Sequence, residues 1–259
     1  MSAADYTASD MMTVAASRRL RDGAVCFVGI GLPSTAANLA RLSHAPNVVL
    51  VYESGTIGAK PTVLPLSIGD GELATTADTV VSTPEIFRYW LQGGRIDVGF
   101  LGAAQIDRFA NINTTVIGPY ARPKTRLPGA GGAPEIAGLA GEVLIVIRQN
   151  KRSFVSELDF ISSAGHFTGG NSRAAAGVRG KGPVAVITDL CVLEPDPSTR
   201  ELTVTSIHPG VDSATIRANT GWPVKFVPDV GTTAAPTEQE LTVLRDLLRA
   251  TAEAHGSAA

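Results

Sequence analysis

The segment VVLVYESGTIGAKP, residues 48–61, gives the clearest indication of the fold. It opens with four apolar residues, mostly β-branched, which predict a short buried strand. A carboxylate, Glu53, follows where that strand ends, and Ser54 and Gly55 add little bulk after it. Such a residue is either a solvated glutamate at a strand end or a carboxylate nucleophile whose basicity is raised by partial burial.

Similar apolar runs recur along the chain and predict strands at residues 24–30, 47–53, 96–101 and 143–148. The runs are continuous rather than alternating, a pattern typical of parallel strands buried on both faces. Strand–helix–strand alternation implies right-handed βαβ units. Residues 183–195 and 201–208 resemble an antiparallel hairpin instead. We therefore predict an α/β fold with a mostly parallel open sheet flanked by helices, a short antiparallel addition towards the C-terminus, and one domain over residues 1–259.

Three motifs of the capping-box type predict where helices begin, because a Ser or Thr and an acidic residue three positions later bond each other's backbone N–H groups. They open at Thr7, Ser82 and Thr237. Gly23 is predicted to end the first helix. A further helix is predicted between the first two strands, over about residues 33–42.

The composition narrows the class of protein. The chain has 259 residues and a net charge of -2, so a nucleic-acid or anionic-membrane partner is not expected. Its first ten residues have no basic segment and no apolar core, so we predict no signal peptide. The chain has no run of about 18 purely apolar residues, so we predict no membrane span. Cys26 and Cys191 are far apart and show no metal or redox spacing, and we expect a cytoplasmic protein.

Two long segments, residues 54–76 and 102–135, are rich in glycine and proline and are predicted to be irregular loops. Each follows a predicted strand. Ligands of open α/β sheets bind at the carboxyl ends of the strands, so both segments are candidates for the site.

Two glycine-rich stretches have two interpretations each. Gly29-Ile30-Gly31 begins like a dinucleotide fingerprint but lacks the third glycine, so a tight strand–helix turn is favoured over a nicotinamide site. Residues 129–133 form either a flexible loop or a set of backbone N–H groups that hold an oxyanion. No lysine follows at the P-loop position, which excludes that motif.

A polar cluster follows the strand that ends near residue 101. Its members are Gln105, Asp107, Asn111 and Asn113. Asn and Asp are common in turns, where their side chains bond the nearby backbone. For Gln105, a position in the lining of a site is an equal alternative. The four histidines show no metal-ligand spacing, and no metal site is predicted.

Several motifs together carry a family resemblance over nearly the whole chain. GIGLP, YESGTIGAKP, FLGAAQIDRFANINTT, GPYARPKTRLPGAGGAPEI and TDLCVLEPD, in this order, resemble the β subunit of class I coenzyme A transferases. The strongest resemblance is expected to be to the β subunit of glutaconate CoA-transferase.

The resemblance implies a chemistry for these residues. Glu53 attacks an acyl-CoA thioester, a glutamyl-CoA thioester follows, and a carboxylate acceptor takes the CoA in a ping-pong cycle. Gly131 and Gly132 are implied to hold the oxyanion, and a further set is implied to bind substrate or CoA: Gly29, Gly31, Ser54, Gly55, Gln105, Gly129, Ala130 and Ala133. The resemblance also implies an α-subunit partner, no resident cofactor, and CoA as part of the substrate.

Two alternatives remain. Some proteins of this fold resemble ring-cleaving acyl-CoA hydrolases of steroid breakdown or decarboxylases, and a glutamate at position 53 weighs against both. A non-catalytic chain that only supports a catalytic partner is the second alternative. A dicarboxylate substrate would need a cation, for which the loops offer Lys60, Arg122 and Lys124, although each is more simply a solvated charge.

Overall fold

The computed structural model describes residues 5–256, which form two compact units. The first comprises residues 5–100 with 235–256, and the second residues 101–234. The single domain proposed from the sequence stays a prediction.

The first unit contains parallel strands, their connecting helices and the C-terminal helix. Its elements are α1 (Ala8–Ser17), β1 (Val25–Val28), α2 (Leu32–Leu42), β2 (Val49–Val51), β3 (Thr56–Ile57), α3 (Gly71–Thr75), β4 (Thr79–Val80), α4 (Thr83–Glu85), a π-helix (Ile86–Leu91), β5 (Val98–Gly102) and α8 (Glu238–His255). The strand order is β5-β1-β2-β3-β4. β1 pairs in parallel with β2 and β5, whereas β3 runs antiparallel to β2 and β4.

The second unit contains a five-stranded mixed arrangement and two small hairpins. Its elements are β6 (Gln105–Ile106), β7 (Ile112–Asn113), β8 (Val116–Ile117), β9 (Thr125–Arg126), α5 (Ala133–Leu139), β10 (Glu142–Val146), α6 (Ser172–Ala175), β11 (Pro183–Ile187), β12 (Cys191–Pro195), β13 (Leu202–Ile207), α7 (Ser213–Ala218) and β14 (Lys225–Thr232). The order is β14-β13-β12-β11-β10, with β6 paired to β7 and β8 to β9. β10–β11 and β13–β14 are parallel pairs, and β12 is antiparallel to both neighbours.

The apolar runs form the core of the first unit, as their lack of alternation predicts. Cys26, Leu50 and Val98 lie on adjacent strands in register and are fully buried. Val14 of α1, Leu39 of α2 and Leu244 of α8 form one cluster that packs the three helices together. The predicted α/β fold with a mostly parallel sheet and flanking helices is confirmed, and antiparallel strands occur at β3 and β4 as well as near the C-terminus.

Two of the three predicted capping boxes are confirmed. Thr7 and Thr237 cap α1 and α8 with both reciprocal bonds in place. Ser82 occupies the N-cap of α4, but its side chain makes no capping bond, so the box predicted there is wrong. The predicted stop at Gly23 is also wrong, because α1 ends at Ser17 and a turn follows it.

Three segments differ from the predictions. Residues 54–76 and 102–135 are not irregular throughout, because they contain β3 with α3 and β6 to β9 respectively. The predicted strand at 183–195 is two strands, β11 and β12, joined by a tight turn in which the Thr188 hydroxyl accepts the backbone N–H groups of Leu190 and Cys191. The hairpin predicted from residues 183–195 and 201–208 is present between β12 and β13.

Candidate active site

Glu53 lies at the tip of a tight turn that joins β2 to β3. The backbone N–H of Gly55 donates to the carbonyl of Tyr52 over 3.0 Å, so Glu53 and Ser54 are the two central residues of a β-turn. The N–H of Tyr52 donates to the carbonyl of Thr56 over 3.0 Å and closes the hairpin. We call residues 52–55 the Glu53 turn. It places the carboxylate at the carboxyl end of a buried parallel strand, where the sequence predicts it.

Gly55 makes the close approach on which this turn depends. Its φ is +108°, a conformation that side chains disfavour, and an added Cβ would lie 1.9 Å from the carbonyl oxygen of Val81. The N–H of Val81 donates to the carbonyl of Gly55 over 2.9 Å. Because Gly55 has no side chain, the segment before α4 can pack against the turn and form this hydrogen bond to it. Only glycine fits at this position.

The two central side chains of the turn are half-buried and poorly partnered. The carboxylate of Glu53 makes no hydrogen bond or ion pair within residues 5–256. The hydroxyl of Ser54 is buried and has no partner among these residues, which is rare for a buried polar atom. The turn therefore presents an unengaged carboxylate and an unengaged hydroxyl side by side.

A buried polar network anchors the strand that leads to Glu53. Tyr52 is fully buried, and its hydroxyl lies 3.1 Å from Ser34 Oγ and 3.3 Å from Asn38 Nδ2. Arg41 extends the network by donating to Asn38 Oδ1 and to the carbonyl of Pro61. Burial raises the pKa of Tyr52, so the hydroxyl stays protonated. The network ties α2 to both sides of the Glu53 turn.

Gly29 and Gly31 shape the connection between β1 and α2. The N–H of Gly29 donates to the carbonyl of Phe100 over 3.0 Å, and a Cβ there would lie 3.0 Å from the same oxygen. Gly31 is the N-cap of α2 with φ +85°, and no side chain caps this helix start. The tight strand–helix turn expected from the sequence is present.

The glycine loop, residues 129–133, belongs to the second unit and runs into the start of α5. Gly129 donates its N–H to the carbonyl of Thr114 over 2.9 Å, and Ala133 donates to the carbonyl of Ala130 over 3.0 Å. No acceptor for the N–H groups of Ala130, Gly131 and Gly132 occurs in the described part of the chain. The loop therefore carries three successive free backbone donors.

Gln105 is buried and held by other side chains of the second unit. Its amide nitrogen donates to Asp159 over 2.7 Å, and its amide oxygen accepts from Asn113 over 2.7 Å. Asn113 adjoins Thr114, whose carbonyl holds Gly129, so the chain links Gln105 to the glycine loop. The amide bonds favour a supporting role for Gln105, and its binding role stays a prediction.

Asp107 and Asn111 serve the turn between β6 and β7. One carboxylate oxygen of Asp107 accepts the backbone N–H groups of Phe109 and Asn111, and the other accepts the Asn111 amide. Burial raises the pKa of Asp107 despite these bonds. Asn111 also accepts the backbone N–H groups of Gly165 and Phe167. Turn chemistry accounts for both residues.

The cations considered for a dicarboxylate are all exposed. Lys60 forms a 2.5 Å ion pair with Asp78. Arg122 and Lys124 lie at the tip of the β8–β9 hairpin. Within residues 5–256, no cluster of three or more His, Cys, Asp or Glu side chains could hold a metal ion, and no helix is long and apolar enough to cross a membrane.

Comparison with known proteins shows the family of the chain. A family model described as coenzyme A transferase matches residues 9–219. The chain belongs to the coenzyme A transferase family. The β subunit of the Pseudomonas knackmussii 3-oxoadipate CoA-transferase is 68% identical over 251 residues, covering 97% of this chain and 96% of the relative. The β subunit of the Acidaminococcus fermentans glutaconate CoA-transferase is 32% identical and covers 84% of each chain.

The crystal structure of that glutaconate enzyme superposes with a TM-score of 0.87 at 30% identity and covers 93% of this chain and 94% of the other. The chain is thus the β subunit of a class I CoA-transferase, an enzyme that moves CoA between an acyl-CoA and a carboxylate, as the resemblance implies. The glutaconate protein is a more distant relative than the 3-oxoadipate protein, which corrects the expected ranking.

The sequence interpretation missed the network behind the CoA-transferase's Glu53 turn. Ser34 and Asn38 are one helical turn apart and share a face of α2, which is a signal for a common partner. The tyrosine directly before Glu53 was the other available signal. Only the fold brings the three side chains together.

Proposed function

We propose that Glu53 is the nucleophile of a CoA transfer that proceeds by covalent catalysis. The observation that carries the proposal is the Glu53 turn, which holds a half-buried carboxylate without a bonding partner in the described residues. Carboxylates are weak nucleophiles in water, and partial loss of hydration activates them. The buried strand and the small residues after Glu53 support this interpretation.

The proposed catalytic cycle has two halves, one that takes CoA from the donor and one that passes it to the acceptor. A Glu53 oxygen attacks the thioester carbonyl, CoA thiolate leaves, and a mixed anhydride forms. The thiolate then attacks the glutamyl carbonyl and releases the donor acid, which leaves a glutamyl-CoA thioester. The acceptor carboxylate attacks that thioester, forming a second anhydride, and the thiolate attacks the acceptor carbonyl, which restores the Glu53 carboxylate.

We further propose that the N–H groups of Gly131 and Gly132 stabilise the oxyanion of these steps. Free backbone donors suit this task because they are rigid and carry no charge. Each donor aimed at such an oxyanion lowers the barrier by about 3 kcal/mol. Ala130 and Gly129 shape the loop, and Ser54 supplies a hydroxyl beside the nucleophile.

The finer identity of the enzyme follows from its relatives. We propose that the acceptor is 3-oxoadipate or a similar dicarboxylate, because the relative that is 68% identical carries that substrate in its name. Both relatives are named as one subunit of a larger enzyme, which supports an α-subunit partner. CoA enters and leaves as part of the substrate, and no resident cofactor takes part. Cys26 and Cys191 are free buried thiols, which fits a cytoplasmic setting.

The test is a search for the covalent intermediate. The chain, coexpressed with an α-like subunit, is incubated with a panel of acyl-CoAs, and its intact mass and peptides are measured. We expect a CoA-sized adduct on Glu53 that disappears when 3-oxoadipate is added. Free CoA accumulating with no adduct and no need for an acceptor would favour the hydrolase alternative.

Variants of Glu53 distinguish a catalytic chain from one that only supports a catalytic partner. Glu53→Gln is expected to lower turnover by about three orders of magnitude or more with assembly intact, because no other group replaces the nucleophile. Glu253→Gln, which removes an exposed carboxylate of α8, is the matched control and should leave turnover unchanged. Equal turnover of Glu53→Gln and the control would contradict the mechanism.

A further inference from the structure

A cavity of about 200 Å³ in the second unit has a strongly basic lining that the transfer reaction does not use. Four cationic side chains line it, together with one histidine: Arg173, Arg179, Lys181, Arg200 and His166. No Asp or Glu lines it among residues 5–256. Like charges brought together in this way repel one another, and a bound anion would relieve that repulsion.

The inner wall of this basic cavity is formed by the buried guanidinium of Arg173. Arg173 is 6% exposed and donates to the carbonyls of Ala137, Gly165 and Gly180 at 2.7–2.8 Å. These carbonyls accept from only part of its five N–H groups and leave its net charge, and no carboxylate bonds it within the described residues. Burial lowers the pKa of Arg173, as expected for a charge held away from water.

The outer wall is formed by three exposed cations, Arg179, Lys181 and Arg200. Arg200 forms no ion pair in the described part of the chain, and its backbone is held by an N–H bond to the carbonyl of Asp196 over 2.8 Å. The Lys181 side chain is 73% exposed, and Glu142 lies 3.4 Å from its ammonium. His166 also lines the cavity, but its Nε2–H donates to the carbonyl of Pro183 over 2.8 Å, and burial together with the charges of Arg173 and Arg200 lowers its pKa.

The basic cavity lies away from the glycine loop within the second unit. Arg173 bonds the carbonyl of Ala137, and Gly180 donates to the carbonyl of Gly138, so the cavity adjoins the carboxyl end of α5. The glycine loop leads into the other end of the same helix. Because α5 has seven residues, its two ends are about 10 Å apart.

We propose that the basic cavity binds a phosphoryl group, either as inorganic phosphate or as part of a phosphorylated small molecule. Arginine and lysine side chains are the usual partners of phosphate oxygens, because charge-assisted hydrogen bonds to a dianion are strong. The volume also exceeds the roughly 30 Å³ that a water molecule occupies in the liquid, so a tetrahedral oxyanion fits. The inference does not depend on the mechanism proposed for Glu53.

Calorimetric titration of the full chain tests this proposal, with inorganic phosphate in low-salt buffer and chloride at equal ionic strength as reference. We expect saturable phosphate binding that the double variant Lys181→Gln with Arg200→Gln weakens about tenfold or more. The matched control, Lys151→Gln with Arg152→Gln, removes two exposed cations of the same unit and should weaken binding less than about twofold. Arg200→Lys keeps the charge and should retain most of the affinity.

Parallel titrations with CoA and with CoA lacking its 3′-phosphate distinguish the sources of the phosphoryl group. A loss of affinity for CoA alone in the double variant assigns the cavity to that phosphate, whereas loss for inorganic phosphate only assigns it to a free anion. The absence of saturation up to about 10 mM in every titration would overturn the proposal. Equal weakening in the cavity variant and the control would overturn it too, because it would show a general effect of charge.

Discussion

The two residues that flank the centre of the Glu53 turn hold it in different ways. Gly55 does so by lacking a side chain, because the carbonyl of Val81 occupies the place of a Cβ. Tyr52 does so through its hydroxyl, which is the meeting point of Ser34 and Asn38. One contact is steric and the other polar, so substitutions at the two positions should lower the free energy of unfolding by different amounts.

Gly55→Ala is expected to lower the free energy of unfolding by about 3 kcal/mol or more, because the added methyl overlaps a backbone carbonyl and φ is positive. Chemical denaturation measures the change. Gly71→Ala is the control, since nothing lies within 4 Å of a Cβ there and its φ is not positive. Similar stability of the two variants would contradict the steric argument.

Tyr52→Phe should cost about 1–2 kcal/mol of unfolding free energy, because it removes one member of a buried hydrogen-bonded group while keeping the ring. Tyr89→Phe removes a hydroxyl from a side chain that is 61% exposed and should change stability little. The same denaturation experiment compares them. A loss at position 89 equal to that at position 52 would argue against the network.

Glu53 and the glycine loop could be proposed as site residues from the sequence. A carboxylate at the end of an apolar strand and a run of glycines are both unusual local patterns. The supporting network could not be located in that way. Ser34 and Asn38 read as ordinary polar positions of an amphipathic helix, and Gln105 reads as a polar residue after a strand. Their partners are distant in the chain, so only tertiary structure decides which bonds they make.

At the scale of elements, one side chain connects two helices of the first unit. Glu240 completes the capping box of α8 and accepts two hydrogen bonds from Arg18, which is the C-cap of α1, at 2.7 and 2.6 Å. Burial raises the pKa of Glu240, but the bonds from Arg18 and Thr237 outweigh it and the pKa is lowered below 4.5. The ionised form is therefore favoured in the folded chain.

This shift predicts a dependence of stability on pH. Because the folded pKa lies below the unfolded value, the contribution is complete above about pH 4.5 and is lost as pH falls through the folded pKa. Glu240→Gln should lower unfolding free energy by about 1 kcal/mol at neutral pH, with the difference shrinking in acid. Denaturation over a pH series measures it, with Glu253→Gln as the control. A difference independent of pH would contradict the assignment.

Elements differ in how far the sequence predicts them. β1, β2, β5 and β10 are continuous apolar runs, and hydrophobicity alone specifies them. β3 and β4 have two residues each: the Glu53 turn brings β3 beside β2, and β4 pairs with β3. Residues 86–91 carry a helical pattern, but their π-helical spacing depends on packing that no local rule describes.

At the scale of the whole molecule, this chain supplies one part of a two-subunit transferase. The chain contains the proposed nucleophile and oxyanion donors, but none of the three cations considered for a dicarboxylate is committed to that task, because Lys60 is paired with Asp78 and the hairpin cations are exposed. We expect the α-like partner to contribute to recognition of the acceptor acid.

The isolated chain is therefore expected to show no CoA transfer between acyl-CoA and 3-oxoadipate, and activity should appear on mixing with the α-like subunit. A coupled assay of CoA transfer across a range of mixing ratios measures this, and the rate should saturate when every copy is paired. Turnover by the purified chain alone, at the rate of the mixture, would contradict the need for a partner.

The Glu53 turn takes its shape from backbone bonds, Gly55 and the carbonyl of Val81, and none of it from the Glu53 side chain. Folding and chemistry at this position are thus separable, so evolution can exchange residue 53 without rebuilding the scaffold. A lineage that replaces the glutamate keeps the same stable turn and is expected to lose only the proposed covalent step. Such a scaffold is a natural starting point for new reactions on CoA esters.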